Sequence, residues 1–332
     1  MLVVAIAAVD ALRSRDGDDE QPSREGVAPQ PGSAERARLV ARLGAAGVSG
    51  TLVYTDDLCA LRGVAFPSLR RAPHPAGLSV GCEFEVSADG LRIAPRRARW
   101  SPASDAYALC RRSVVDVHAT PGGRPRQQYD GCVPAWRPDA AAASVLTVIR
   151  DGALLEVRPG CAGPPPCERT LLSPDAIARA AAHHVNAPEV PGPVVPVVED
   201  VAWLSASRVA LLVSVRFRGR IAVDLVAVYE GTRLLGTTSV LDDRLTELEA
   251  SPSGSLLVAR PDKLLSRSGE SIGLPPNLSN GLTLALSPDE RWLAVATRTG
   301  DVALIELEPL LSGSTGTTEI RLPISVRDLA WR

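Results

Sequence analysis

One stretch limits what this chain can fold into more than any other. Gly281 to Leu307 reads as an apolar strand, a Ser-Pro-Asp turn, a second strand, a Thr-Gly-Asp turn and a third apolar strand. Within it, Trp292, Ala294 and Ala296 alternate with Leu293, Val295 and Thr297, the two-residue period of a strand. Both faces are apolar or small, which suits a sheet covered on two sides. Each run is under about eight residues and is bounded by Pro288, Gly300 or Asp301, so strands are favoured over helix.

The same pattern recurs. Aligning on the residue before each turn gives Trp100, Trp136, Trp203, Ala250, Leu286 and Trp331, at successive spacings of 36, 67, 47, 36 and 45. Four of the five spacings fall near the roughly 40–50 residues of a four-stranded propeller blade. Ser87-Ala88-Asp89-Gly90 has the form of a further blade turn but precedes Trp100 by about 14 residues, too close for two blades to begin. One of the two is therefore internal to a blade.

The turns Ser251-Pro252-Ser253-Gly254 and Ser287-Pro288-Asp289-Glu290, each after an apolar strand and before Leu-Leu-Val-Ala or Trp-Leu-Ala-Val-Ala, resemble WD-repeat-like or TolB-type β-propeller repeats. The resemblance spans Val48 to Arg332 and bears on architecture. No blade carries the Gly-His or Trp-Asp dipeptides, and the turns after Trp136 and Trp203 are degenerate. The implied fold is all-β: a single propeller of six blades of four antiparallel strands, with a small helical insertion. Arg327–Arg332 is a first strand with no blade after it. It is expected to complete the blade begun by Thr51–Thr55 and Cys59–Phe66, which leaves only short protected edges.

Three domains follow in order. Residues 1–12 hold the apolar run Leu2–Val9, read as the remnant of a signal or membrane anchor and much shorter than the roughly 20 residues of a span. Residues 13–47 are a charged, then Pro/Gly-rich stalk and a short helix, Ser33 to Ala46. Ser33 is expected to cap that helix, Ala34, Ala37, Val40, Ala41 and Leu43 to form its apolar stripe, and Gly47 to stop it. Residues 48–332 are the propeller, interrupted at 161–197 by a Pro-rich insertion. Its helix opens at Ser173-Pro174-Asp175. His183 and His184, adjacent on that helix, diverge by about 100° and suit a helix end better than a shared metal.

Charge is balanced at −2 with 36 basic and 38 acidic residues and no long basic run, which argues against nucleic-acid binding. The six cysteines fall as neighbouring pairs, Cys59 and Cys82, Cys110 and Cys132, Cys161 and Cys167, although six cysteines allow 15 connectivities. Disulfides imply an oxidising compartment; buried reduced thiols in a cytosolic propeller are the other reading.

Motifs for chemistry are weak. Gly269-Glu270-Ser271-Ile272-Gly273 has the nucleophile spacing, but Pro275-Pro276 forbids the helix that motif needs. Gly231–Thr238 lacks the lysine of a phosphate loop. One constellation comes from the repeat itself. Three residues before the aligned positions stand Arg97, Val133, Asp200, Glu247, Thr283 and Asp328. Around a closed ring these converge near one channel mouth, where Arg97, Asp200, Glu247, Thr283 and Asp328 are candidates for holding a cation or polar ligand. Ordinary caps and salt bridges at strand starts are the plainer reading. No cofactor is expected and any metal is left open.

The chain therefore reads as a non-enzymatic, monomeric, extracytoplasmic propeller, held to the membrane only through its N-terminus. It is expected to bind a protein or cell-envelope component through one face and the 161–197 insertion. A hydrolase or lyase using the channel carboxylates, with or without a metal, is the first alternative, and a cytoplasmic scaffold the second.

Overall fold

The structure is a computed structural model. It describes residues 32–72, 83–86, 92–96, 114–119, 125–138, 145–158, 161, 167–185, 195–217, 220–240, 248–251, 253, 256–258, 263–266, 271–273, 283–297, 301–312 and 317–332. Among the described residues, twenty-four short strands pair antiparallel into six four-stranded sheets. The chain opens with β1 (Thr51–Thr55), β2 (Leu61–Ala65) and β3 (Arg70–Arg71). The second sheet is β4 (Glu83–Val86), β5 (Arg92–Arg96), β6 (Val114–Ala119) and β7 (Pro125–Asp130). The third is β8 (Cys132–Arg137), β9 (Val145–Arg150), β10 (Ala153–Val157) and β11 (Glu168–Leu172), and the fourth β12 (Val195–Trp203), β13 (Arg208–Phe217), β14 (Arg220–Glu230) and β15 (Arg233–Val240). The fifth is β16 (Glu249–Ala250), β17 (Leu256–Val258), β18 (Lys263–Ser266) and β19 (Ser271–Gly273). The sixth is β20 (Thr283–Leu286), β21 (Trp292–Ala296), β22 (Val302–Glu306) and β23 (Glu319–Leu322).

The last strand, β24 (Asp328–Trp331), lies beside β1 and completes the first sheet in the order β24-β1-β2-β3. Leu52 pairs with Trp331 and Thr55 with Asp328, and beyond the ladder Thr51 and Arg332 exchange backbone hydrogen bonds. The innermost strands β24, β4, β8, β12, β16 and β20 touch in that circular order, and β20 touches β24 again. That is a propeller, closed by strands far apart in sequence.

Alternation sets the core. In the sixth sheet Trp292, Ala294 and Ala296 face Leu52, Val64 and Trp331 of the first sheet, while Leu293 and Val295 lie on the other face beside Leu284, Leu286 and Ile305 of their own sheet. In the third sheet one face carries Trp136, Leu146, Val148, Leu155 and Val157 against Val115 and Val117 of β6. The other carries Ala135, Ile149 and Leu154 against Val198, Leu211 and Val213 of the fourth sheet. Every such face buries leucines or valines, each contributing about 1.5–3 kcal/mol. A propeller core is thus a set of sheet-to-sheet seams, which explains why the strands read as apolar on both sides.

The second sheet corrects the alignment. β4 ends at Val86, directly before 87–90, and touches both β24 and β8, so Ser87-Ala88-Asp89-Gly90 follows the innermost strand. Arg97 follows β5, the second strand, and lies with Trp100 outside the described residues. The place assigned to Arg97 belongs to Glu83. The tryptophan misled because an indole is common wherever a sheet packs, whereas the turn marks a strand end directly.

Helix α1 (Ser33–Ala45) lies against the propeller, but the stripe differs from expectation. Leu39 and Leu43, four apart on one face, are buried among Val48, Phe66, Trp331 and Val326, whereas Ala34, Ala37 and Ala41 are exposed. Large side chains reach the sheet and alanines do not. Gly32 is the N-cap and Ser33 makes no capping bond. The C-terminus is as expected. Gly47 sits at φ +69, its N–H donates to Gly44 O and that of Val48 to Leu43 O, which satisfies two orphan carbonyls, and Val48 packs with Leu43.

The insertion is smaller than 161–197. Cys161 and Cys167 form a disulfide with Cα atoms 5.6 Å apart, bracketing the turn between β10 and β11, and β11 itself is the outer strand of the third sheet. What lies outside the sheets begins with α2 (Pro174–Val185), where Ser173 Oγ accepts the Ala176 N–H at 3.2 Å. Its Ile177, Ala180 and Ala181 fill the seam between the third and fourth sheets, and His183 is exposed. A short helix α3 (Leu307–Leu311), which no sequence signal announced, closes the outer end of the sixth sheet with Leu307 and Leu310. Cys59 and Cys132 are also disulfide-bonded, and among the described residues no cysteine is free. Residues 1–31 lie outside the described part, and no described helix is long and apolar enough to cross a membrane.

Two predictions test this packing. Gly50 sits at φ +93, and a Cβ there would lie 2.6 Å from Arg332 O and 2.9 Å from Trp331 Nε1. Gly50→Ala is expected to destabilise by roughly 1–3 kcal/mol by straining the closure, read as a lower urea midpoint at unchanged slope. Tyr229 Oη donates 3.3 Å to Ala176 O of α2, and burial, partly opposed by the nearby Arg179 charge, pushes its phenol up to about 12. A raised phenol pKa means the folded state holds its proton longer. Its stabilisation is full below about pH 10 and is lost as pH rises through about 12. Phenolate absorbance should show a component near pH 12 that Tyr229→Phe removes.

Candidate functional site

An aspartate has a short side chain that can turn back onto its own following N–H. Asp200, at the register shift within β12, and Asp328, the first residue of β24, both do so, Oδ1 accepting from Val201 N–H and Leu329 N–H at 2.9 Å in each case. The second oxygen reaches the next sheet round the ring. Asp200 Oδ2 accepts the Leu248 N–H at 2.7 Å, just before β16, and Asp328 Oδ2 accepts the Phe84 N–H at 2.8 Å in β4. Thr283 of β20 donates its hydroxyl to Asp328 Oδ1 at 3.0 Å. Both carboxylates are buried, Asp200 completely. Buried backbone N–H groups along the innermost strands need an acceptor, and a charge taken out of water needs donors, so each satisfies the other.

The sequence-predicted constellation is therefore brought together in part. Thr283 and Asp328 touch, and Asp200 occupies the equivalent place three sheets away. Arg97 and Glu247 lie outside the described residues. In the third sheet the equivalent Val133 adopts φ +51 beside Gly131 at φ +140, and the β8–β9 register shifts between Cys132 and Ala135. A bulge there replaces the carboxylate as the device that turns the strand into the ring. Among the described residues no three His, Cys, Asp or Glu side chains group so as to hold a metal ion.

Further along the same strands the ring encloses a cavity of about 310 Å³. All six innermost strands, or the residues just after them, line it: Phe84, Trp136, Trp203, Leu248, Leu286 and Trp331 are its apolar walls, and Glu249, Ser251 and Arg332 its polar groups. Asp200, Thr283 and Asp328 do not line it. Trp203 donates its indole N–H to Thr147 Oγ1 at 3.1 Å and Trp331 to Ser49 O at 2.9 Å, while the buried Trp136 Nε1 has no partner. Glu249 Oε1 accepts the Leu286 N–H at 3.2 Å, repeating the sheet-to-sheet reach one residue later. The volume is at the lower end for small-ligand pockets, walled by indoles with a few polar groups. Among the described residues its lining holds one hydroxyl, that of Ser251, one carboxylate, that of Glu249, and no histidine.

These lining residues were within reach of the sequence. Trp136, Trp203 and Trp331 mark the register of the repeat, and the repeat places equivalent strand ends around one axis. The same reasoning that gathered the residues three positions earlier gathers the indoles too.

Comparison with known proteins bears on the fold. No protein-family model matches the chain, and no curated protein sequence does. Among solved structures, Kuenenia stuttgartiensis hydrazine synthase superimposes with TM-score 0.50 at 10% identity, covering 82% of this chain and 83% of that one. The Myceliophteria thermophila Cps50 (Swd1) beta-propeller domain reaches 0.49 at 10% identity over 85% and 86% of the two chains. TolB from Acinetobacter baumannii reaches 0.49 at 12% identity over 85% of this chain and 66% of its own. At such identities the likeness is one of fold.

Asp328→Ala strips the acceptor from the Phe84 and Leu329 N–H groups, at about 1–3 kcal/mol per stranded group. We expect a loss of roughly 2–5 kcal/mol in urea unfolding, against a change within about 0.5 kcal/mol for the exposed Glu308→Ala. By its closed ring of interacting strands the chain is a β-propeller.

Proposed function

We propose that this is a non-enzymatic, six-bladed, extracytoplasmic propeller that binds a protein or cell-envelope component, tethered through an apolar segment near residues 1–12 and acting as a monomer. The observation that carries the reading is cysteine pairing. Cys161 and Cys167 are joined to each other, Cys59 and Cys132 are each disulfide-bonded, and no described cysteine is free. Disulfides persist in oxidising compartments and are rare in the cytosol. A domain of this size has ample core without them, so their presence is better explained by where the protein resides than by a shortage of buried surface.

Binding is favoured over hydrolase or lyase chemistry by the site itself. Asp200 and Asp328 have both oxygens engaged by backbone amides and line no cavity, while the cavity beside them offers shape and indoles. A propeller fold with a closed rim commonly serves as a rigid scaffold whose loops make the contacts.

The test is intact mass of protein from its native compartment, after thiol blocking, with and without reductant. Pairing of all six cysteines removes about six hydrogens and leaves no blocked thiol before reduction. Six blocked thiols would shift the reading to a cytoplasmic scaffold.

A further inference from the structure

The register of the third sheet gathers arginines on one face. Glu156 of β10 pairs across to Thr147 of β9 and to Arg169 of β11, and Thr147 pairs to Ala135 of β8, two residues before Arg137. All project towards the fourth sheet, where Arg137 stacks over the Trp203 ring at 5.6 Å. The Glu156 carboxylate, 2% exposed, takes Arg137 Nη1 at 2.9 Å and Arg169 Nη2 at 2.8 Å on Oε2, and Arg158 Nε at 3.5 Å on Oε1. Three guanidinium groups thus share one carboxylate. The negative charge is underneath, whereas Arg158 and Arg169 are 58% and 63% exposed, and neither has a second carboxylate partner among the described residues. The neighbouring acid, Glu168, points to the opposite face, where it pairs with Arg150. Arg158 is also fixed from behind: its N–H donates to Cys167 O at 3.0 Å and its carbonyl accepts the Cys161 N–H at 3.2 Å, so the disulfide turn holds its backbone.

We propose that Arg158 and Arg169 form a phosphate-binding site at the seam between the third and fourth sheets. Three guanidinium groups over one carboxylate give the cluster an excess of positive charge on its exposed side, the sign that the charge of about −1.5 to −2 on a phosphomonoester requires. Two exposed guanidinium forks straddling one buried carboxylate offer parallel N–H donors to a tetrahedral oxyanion above it. The carboxylate below keeps the forks from repelling each other in the empty site and fixes their spacing. Arginine richness alone does not produce this: Arg208 and Arg233 share Glu230, one guanidinium fewer than Glu156 gathers, and Arg321 with Glu319 is balanced. The inference deepens the binding reading by naming the ligand's chemistry, but anion binding is measured in solution and does not depend on where the protein resides.

The experiment is calorimetric titration of the full chain with inorganic phosphate at low salt, followed by flotation with vesicles of phosphatidylcholine containing phosphatidic acid, a phosphomonoester lipid, or of phosphatidylcholine alone. Saturable phosphate binding is expected, weakened about tenfold by Arg158→Gln and about tenfold by Arg169→Gln, each replacing a charge-assisted donor. Arg321→Gln, exposed and on the sixth sheet, should leave it unchanged. Circular dichroism checks folding, and if Arg169→Gln unfolds the chain, Arg158→Gln carries the test. Flotation with phosphatidic acid that the double variant loses would identify a lipid headgroup as the source; phosphate binding without flotation would point to a soluble phosphoester. No saturable phosphate binding, or equal binding by Arg158→Gln and the parent, would overturn the site while leaving the disulfide result untouched.

Discussion

The carboxylate of Asp328 ties three of the described sheets to one another. It stands on the strand that comes last in sequence, inside a sheet whose other strands come first. It takes a hydroxyl from the sixth sheet and an amide from the second. Three sheets meet on one side chain. Asp200 makes the matching link from the fourth sheet to the fifth, and Glu249 makes another from the fifth to the sixth. A ring of flat sheets packed face to face has nothing intrinsic to stop neighbours sliding along the seam, because dispersion between leucines is nearly indifferent to a small shift. Directional hydrogen bonds from a buried carboxylate to two backbones are not indifferent.

The seams then explain the chain's composition of strands. Each sheet meets apolar neighbours on both faces, so polar groups inside it persist only where they are satisfied. Thr147 bridges the Ala135 carbonyl and the Trp203 indole, and Ser214 donates 2.6 Å to Asp224 within the fourth sheet. Glu156 survives burial because arginines from two strands and a following turn surround it. At the turns, Glu290 receives both the backbone N–H and the hydroxyl of Ser253, tying the fifth sheet's first turn to the sixth's.

Much of this was legible beforehand because a repeated pattern exposes its own exceptions. The meander of β20, β21 and β22 follows from alternation and from Pro288, Gly300 and Asp301 alone. Pairing of Thr51–Thr55 with the end of the chain follows from an orphan strand. Arg97 was misplaced because Trp100 was weighed above the turn at 87–90, and side-chain identity is a poorer register mark than backbone geometry. Leu39 was missed on α1 because alanines fit a helical stripe by spacing yet are too short to reach the sheet. The cluster on Glu156 was invisible, since Arg137, Arg158 and Arg169 come together only through pairing across four strands, which no spacing within one segment encodes.

The closure also has a consequence in time. Trp331 donates its indole N–H to Ser49, a partner 282 residues away, and β1 has no inner neighbour until β24 arrives. Contacts so distant in sequence carry their loop-closure cost before returning any stability, which slows folding and lengthens the interval in which strand edges stand open. While β1 waits, its free edge is a template for the wrong strand. A chain built this way is selected for the order in which its parts become available as much as for the stability of the finished ring.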